Sequence, residues 1–193
     1  MEKFDIRDMT KGVDEALAAT TDPHHRAILK NYRRHGLLEV SGLWQEILSP
    51  AMTVAEPSYR IMYHNRTEVY EGMDAVRGLY SGLAEMDPML FGPIDEKIAV
   101  ADWGFAAESK FDVYLPGSEL ANIGYDVEDS DTLHRARVPV AFIWHYTRDA
   151  LLIGENVYQD WGAAQIEVAD PADLITIGEA RERLAPLLEN EPA

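Results

Sequence analysis

The chain predicts an α+β fold, and three observations carry that expectation. Apolar residues recur at helical spacing in two stretches before position 85, around Ile28–Leu37 and Met73–Leu83. After Pro93 the pattern changes to strand-like runs separated by turn signals. Helical spacing returns at the C-terminal end. Helices followed by a block of strands, without regular alternation of the two, is the order of an α+β domain with a largely antiparallel sheet.

The elements follow in order. Residues 1–20 are polar to mildly amphipathic and read as an N-terminal extension. Thr21-Asp22-Pro23 supplies a capping side chain and a first-turn proline, so a helix is expected from there to about Val40. Ile28, Leu29, Tyr32, Gly36 and Leu37 share one of its faces. Ser41 can cap a short second helix carrying Leu43, Trp44, Ile47 and Leu48, which Pro50 stops. Strands are expected at 52–56 and 59–70. Gly72 breaks that pattern and opens a third helix on Met73, Val76, Leu79, Tyr80 and Leu83. Asp87-Pro88 and Gly92-Pro93 punctuate the next loop.

The second half reads as strands at 94–103 and 105–115, then a polar loop at 116–134 holding Gly117, Gly124 and the acidic run 126–131. Residues 137–146 are apolar on both faces, as a central strand would be. Arg148-Asp149 turns into a last long strand at 151–165. Asp170-Pro171 leads to a C-terminal helix near 178–188. The chain divides into an extension (1–20), a domain (21–168) and a C-terminal helical extension (169–193). A curved, mostly antiparallel sheet wrapped around about three helices makes a cone with one open mouth, a natural apolar pocket.

Bulk composition narrows the function. The 193 residues are 47% hydrophobic, enough for a real core, and carry a formal net charge of −17. Such a surface repels phosphate backbones and anionic lipid, so neither nucleic acid nor membrane is an expected partner. With no cysteine there is no disulfide, thiolate nucleophile or Cys-ligated metal. The charged start has no apolar stretch of signal-peptide type and no run reaches membrane-spanning length, so a cytoplasmic protein is expected.

Several residue sets carry chemistry. The 59–65 strand holds Tyr59, Arg60, Tyr63, His64 and Asn65. Alternation puts Tyr59, Ile61 and Tyr63 on one face and Arg60, Met62 and His64 on the other. Tyrosines suit an aromatic or phenolic substrate, and His64 can shuttle protons near neutral pH. The bland alternative is a cross-strand aromatic ladder. Lys110 shares a face with Glu108 and Asp112; it reads as a solvated salt-bridge face or, more sharply, as a holder of a phenolate. Glu155 shares a face with Ile153 and Val157, and a buried carboxylate there needs a partner such as Arg137 or His145. Asp160 lies on the other face. His24-His25 diverge on a helix and read as surface. No metal motif and no Gly-rich phosphate loop is present.

Three stretches together resemble the NTF2-like (SnoaL-like) proteins across about 23–165. They are Tyr32 on the first helix with Glu56-Pro57 at the first strand; Tyr70-Glu71-Gly72-Met73-Asp74-Ala75-Val76-Arg77, similar to the family's entry to its third helix; and Phe142–Tyr146 followed by Ile153–Asp160, similar to its paired final strands. In the steroid-isomerase branch the tyrosine donates to a developing oxyanion and the carboxylate moves a proton, which implies those roles for Tyr32 and Glu56. The branch's second oxyanion donor, a protonated acid, matches Trp144, whose indole N–H donates but cannot titrate. Catalytic residues expected are Tyr32, Glu56, Tyr59 and His64. Substrate-binding residues expected are Arg60, Tyr63, Lys110, Trp144 and His145. No cofactor is expected. The resemblance implies a cofactor-free lyase or isomerase acting on a small hydrophobic, aromatic substrate, for example one that removes formaldehyde from a lignin-derived diarylpropane to leave a stilbene. A dehydratase or polyketide cyclase is the alternative, and a non-catalytic ligand-binding or assembly module the alternative of another class. A homodimer or homotrimer is expected.

Overall fold

A computed structural model describes residues 1, 4–63, 66–85, 92–190 and 192. Asp22 caps the first long helix, accepting from the backbone N–H groups of His24 and His25, and Pro23 occupies its first turn. This helix, α2, runs Pro23–Val40 as the sequence predicts. It is preceded by α1 (Lys11–Ala19). Within the stretch expected to be an extension, Val13 and Leu17 join the main core, and α1 lies against α2 and the sheet. Arg33, buried on α2, binds the Asp14 carboxylate at 2.7 Å and the Leu187 carbonyl at 2.9 Å, tying both chain ends to the central helix.

The sheet has seven strands: β1 (Thr53–Met62), β2 (Thr67–Glu71), β3 (Pro93–Ala101), β4 (Gly104–Pro116), β5 (Leu133–Tyr146), β6 (Leu152–Gln159) and β7 (Gln165–Val168). Their order is β2-β1-β6-β5-β4-β3, with β7 pairing β5. All pairs are antiparallel except β1 with β6, so the sheet is mixed. The expected 59–70 strand is a hairpin instead: β1 and β2 pair with Tyr59 opposite Tyr70. The expected 151–165 strand ends at Gln159, and Trp161–Ala163 turns into β7. The predicted polar loop also holds a short helix, α4 (Gly117–Asn122). Helix α3 (Met73–Ala84) follows Gly72, which sits at φ 82, a backbone region that favours glycine. Helix α5 (Ile177–Glu189) starts in a capping box between Thr176 and Glu179 and packs on α2.

The curved sheet wraps α2, and the core lies between them. Ile28, Leu29, Leu37 and Leu38 of α2 are at most 1% exposed. Each such side chain contributes roughly 1.5–3 kcal/mol by leaving water. One row of the inner sheet face sets up the site. Tyr59 of β1 stands beside Glu155 of β6, Glu155 opposite Trp144 of β5, and Trp144 opposite Phe105 of β4. Close strand approach depends on glycine here: a Cβ on Gly154 would stand 2.0 Å from the Ser58 carbonyl oxygen.

Candidate active site

Helix α2 brings Ile28, Tyr32, His35 and Glu39 to one face at spacings of four, three and four residues. That face looks onto the row just described, and polar groups meet inside an apolar core. His35 is fully buried, with its ring 4.7 Å from that of Trp144. Its Nε2 lies 2.8 Å from the Tyr80 hydroxyl of α3, 3.4 Å from Glu155 Oε1 and 3.7 Å from Glu39 Oε2. The Tyr80 hydroxyl is in turn 3.5 Å from that of Tyr59, and both hydroxyls stand near enough to the Glu155 carboxyl to favour its charged form.

Burial decides the charge state of this group. It holds the Glu155 pKa well above the usual carboxylate value; Glu39, a like charge, pushes the same way, and the hydroxyls of Tyr59 and Tyr80 oppose both without prevailing. Burial raises Glu39 to about 8 and lowers His35 to about 3. Burial thus favours the carboxylic-acid form of Glu155, able to donate, beside a neutral imidazole. Tyr59, Tyr80 and Tyr146 are all pushed up by burial and remain phenols.

A second carboxyl stands on the other side of Trp144. Glu96 of β3 accepts the Tyr32 hydroxyl, and the Tyr32 ring packs at 4.5 Å from Phe105 and edge-on at 5.1 Å from Trp144. Burial raises Glu96 to about 7, against the pull of the Tyr32 hydrogen bond, which leaves it poised near neutral pH. Among the buried side-chain atoms, Glu155 Oε1, Glu96 Oε2, His35 Nδ1, Trp144 Nε1 and the Tyr146 hydroxyl have no well-formed hydrogen bond within the protein. Such atoms cost about 1–3 kcal/mol each, and sites of chemistry are where folds tolerate them.

The expected residues divide sharply. Tyr32, Tyr59 and Trp144 are brought together in this cluster. Glu56 is exposed on β1, near Gly72, and takes no part in it, because alternation along β1 sends Tyr59 inward and residue 56 outward. Arg60 is exposed on the outer sheet face. Tyr63 sits half-buried under the Arg66 guanidinium, 4.9 Å from its ring centroid, away from the cluster. Lys110 is on the outer face in an ion pair with Asp95 at 2.9 Å, the bland reading of the sequence. His145 also faces outward, against Trp103. His64 and Asn65, like the Asp87-Pro88 turn, lie outside the described residues. Glu155 is buried as expected, but its partner is His35; Arg137 instead holds Asp112 through two contacts of 2.7 Å.

Sequence reasoning missed His35, Tyr80, Glu96 and Glu39. Helical spacing from Tyr32 would have found His35 and Glu39, and Glu96 alternates with Ile98 and Val100. The cluster has little free volume. A hollow of about 20 Å³ bounded by Glu39, Trp44, Tyr80, Leu83 and Ile177 leads toward it. A broad open hollow of about 850 Å³ lies instead on the outer sheet face, along Lys97, Lys110 and Tyr158. No group of three or more His, Asp or Glu among the described residues is placed to hold a metal ion. Among those residues no helix is long and apolar enough to cross a membrane.

No family model and no curated protein matches the chain. Among solved structures it is similar to SalBIII, an epoxide hydrolase/cyclase-like enzyme of pyran ring formation in the polyether salinomycin, with 14% identity, a TM-score of 0.44, and 75% of this chain and 95% of that one covered. It is also similar to a chain from Shewanella putrefaciens CN-32 described as a SnoaL-like polyketide cyclase, with 8% identity, a TM-score of 0.47, and 78% and 89% covered. A protein of unknown function with a cystatin-like fold from Methylobium petroleophilum PM1 gives 14% identity, a TM-score of 0.43, and 75% and 85% covered. Likeness at these levels carries nothing about the reaction. The α+β fold, with its curved, open mixed sheet around α2, stands on the chain's own topology.

Proposed function

We propose that this protein is a cofactor-independent acid–base catalyst, a lyase or isomerase acting on a small hydrophobic, aromatic substrate inside the cone. The observation that carries the reading is Glu155: a carboxylic acid kept neutral by burial, held beside His35, Tyr59 and Tyr80. A neutral acid and two phenols can donate hydrogen bonds to a negative charge developing on a substrate oxygen, in a dry site where such donors act strongly. Glu96, with its pKa near 7, is the group suited to removing the substrate proton. The aromatic lining of Tyr32, Trp144, Phe105 and Tyr146 favours a planar ring. Removal of formaldehyde from a diarylpropane, a dehydration and a cyclisation all pass through charge on oxygen, and all fit these donors.

Substrate entry requires the mouth to open, since ligand pockets usually have about 300–1,000 Å³. Trp44, stacked on Tyr80 at 6.0 Å, and Leu83 bound that mouth. The filled interior favours a second reading, a module that does no chemistry. A thermal-shift screen of phenolic diarylpropanes, stilbenes, steroids, polycyclic ketones and terpene epoxides, followed by turnover assays on any hit, separates the two. A hit that Glu155→Gln still binds but no longer turns over supports catalysis. Ligands that bind and are never turned over would leave the binding module.

A further inference from the structure

We propose that Glu39 is the proton port of the buried site, exchanging protons between solvent and Glu155 through His35 Nε2. His35 is fully buried and Glu155 is only 8% exposed, so a Glu155 that passes its proton to a substrate needs a route for another. Glu39 has the position to provide it. Its side chain is 19% exposed, and its Oε2 lies 3.7 Å from the same His35 nitrogen that stands 3.4 Å from Glu155 Oε1. The small hollow beside Glu39 and Tyr80 is about 20 Å³, enough for roughly one water.

The step balances simply. Glu39, protonated from water, gives its proton to the lone pair of Nε2, and Nε2 then passes it to the Glu155 carboxylate. Glu39 is left to take another proton from water. Nε2 must carry the lone pair, so the ring proton resides on Nδ1. The Tyr80 hydroxyl, which bonds Nε2, can turn to Tyr59 and free that lone pair. Among the described residues, the titratable groups placed at His35 are Glu39 on its own helix, Tyr80 from α3 and Glu155 from β6, with Tyr59 of β1 next to Tyr80 and Tyr146 of β5 near Glu155. Among the described residues the partners given at Nε2 are a phenol and two carboxyls, none of them a cation. An imidazole that resists lasting protonation suits a relay, because it holds the proton only in passing.

The use of this path in turnover rests on the acid–base reading above, but the path itself can be read in the resting protein. The measurement is infrared spectroscopy of the full chain transferred from H2O to D2O. The Glu155 band is the carboxylic C=O band lost in Glu155→Gln, and its rate of deuterium exchange is followed. Wild type should exchange fast, Glu39→Gln should slow exchange roughly a hundredfold, and Glu39→Asp should recover most of the rate. His35→Asn should slow exchange as Glu39→Gln does. Exchange at the wild-type rate in a folded Glu39→Gln protein overturns the port and leaves the catalytic reading standing. Absence of any carboxylic band lost in Glu155→Gln would mean an ionised Glu155 and overturn both.

Discussion

Glu155 Oε1 lies 3.4 Å from His35 Nε2, and both residues are buried, at 8% and 0% exposure. Burial drives the carboxyl toward its acid form and the imidazole toward its neutral form, so both sides avoid charge. Glu155→Gln keeps shape and neutrality. It should raise the melting temperature at pH 8, where the unfolded wild type gains by ionising Glu155, while lowering turnover by about 10²–10⁴-fold. Glu155→Ala, which also opens a cavity beside His35, should cost about 2–4 kcal/mol in denaturant unfolding.

Stability should fall as pH rises through neutrality. Glu96 and Glu39 have folded values of about 7 and 8 against an ordinary 4.5, and Glu155 is shifted the same way. Above pH 4.5 the unfolded chain loses these protons while the folded chain keeps them, so stability drops with rising pH. His35 acts oppositely: its folded value of about 3 against an ordinary 6.5 makes stability fall as pH drops from 6.5 toward 3. Three carboxyls outweigh one imidazole between about 4.5 and 6.5, and only the carboxyls act above that. Melting curves should therefore show a maximum near pH 4.5 or just below and a lower value at pH 8. A flat profile from 5 to 8 would contradict the buried neutral acids.

Glu56→Gln should change neither stability nor any activity beyond error, since an exposed strand position away from special contacts tolerates exchange within about 0.5 kcal/mol. Tyr59→Phe should cut turnover, having removed one of the two phenol donors beside Glu155. Side-by-side kinetics on the first ligand that is turned over checks this pair.

Gly104 sits at φ 144, and a Cβ there would stand 1.9 Å from the Trp144 carbonyl oxygen. Gly104→Ala should thus force β4 from β5 and destabilise by about 3 kcal/mol or more, read as a lowered urea midpoint.

Much of the fold was legible because local signals agreed. Asp22-Pro23 marked the start of α2, and Gly72 marked the entry to α3. The β1–β2 hairpin was not legible: no glycine or proline marks a turn between Tyr63 and Arg66, so two strands read as one. At the site, alternation made legible that Tyr59 and Arg60 lie on opposite faces and that Glu155 shares a face with apolar neighbours, but not which face of the 59–65 strand turns inward. The partner of Glu155 was not legible, since nothing in the sequence says that the face of α2 carrying His35 lies over β6. Glu56 misled for the complementary reason. A resemblance placed it, while the pleat of β1 sends it to solvent.

The parallel pairing of β1 with β6 has a consequence in time. Tyr59 and Glu155 are neighbours across the sheet but roughly a hundred positions apart along the chain, and such pairings close slowly because a long loop must first be ordered. During synthesis the segments carrying His35, Glu39, Tyr59 and Tyr80 are all made well before β6, which carries Glu155. The carboxyl thus arrives on the strand that joins the β1–β2 hairpin to the rest of the sheet, so sheet closure and completion of the cluster are one event.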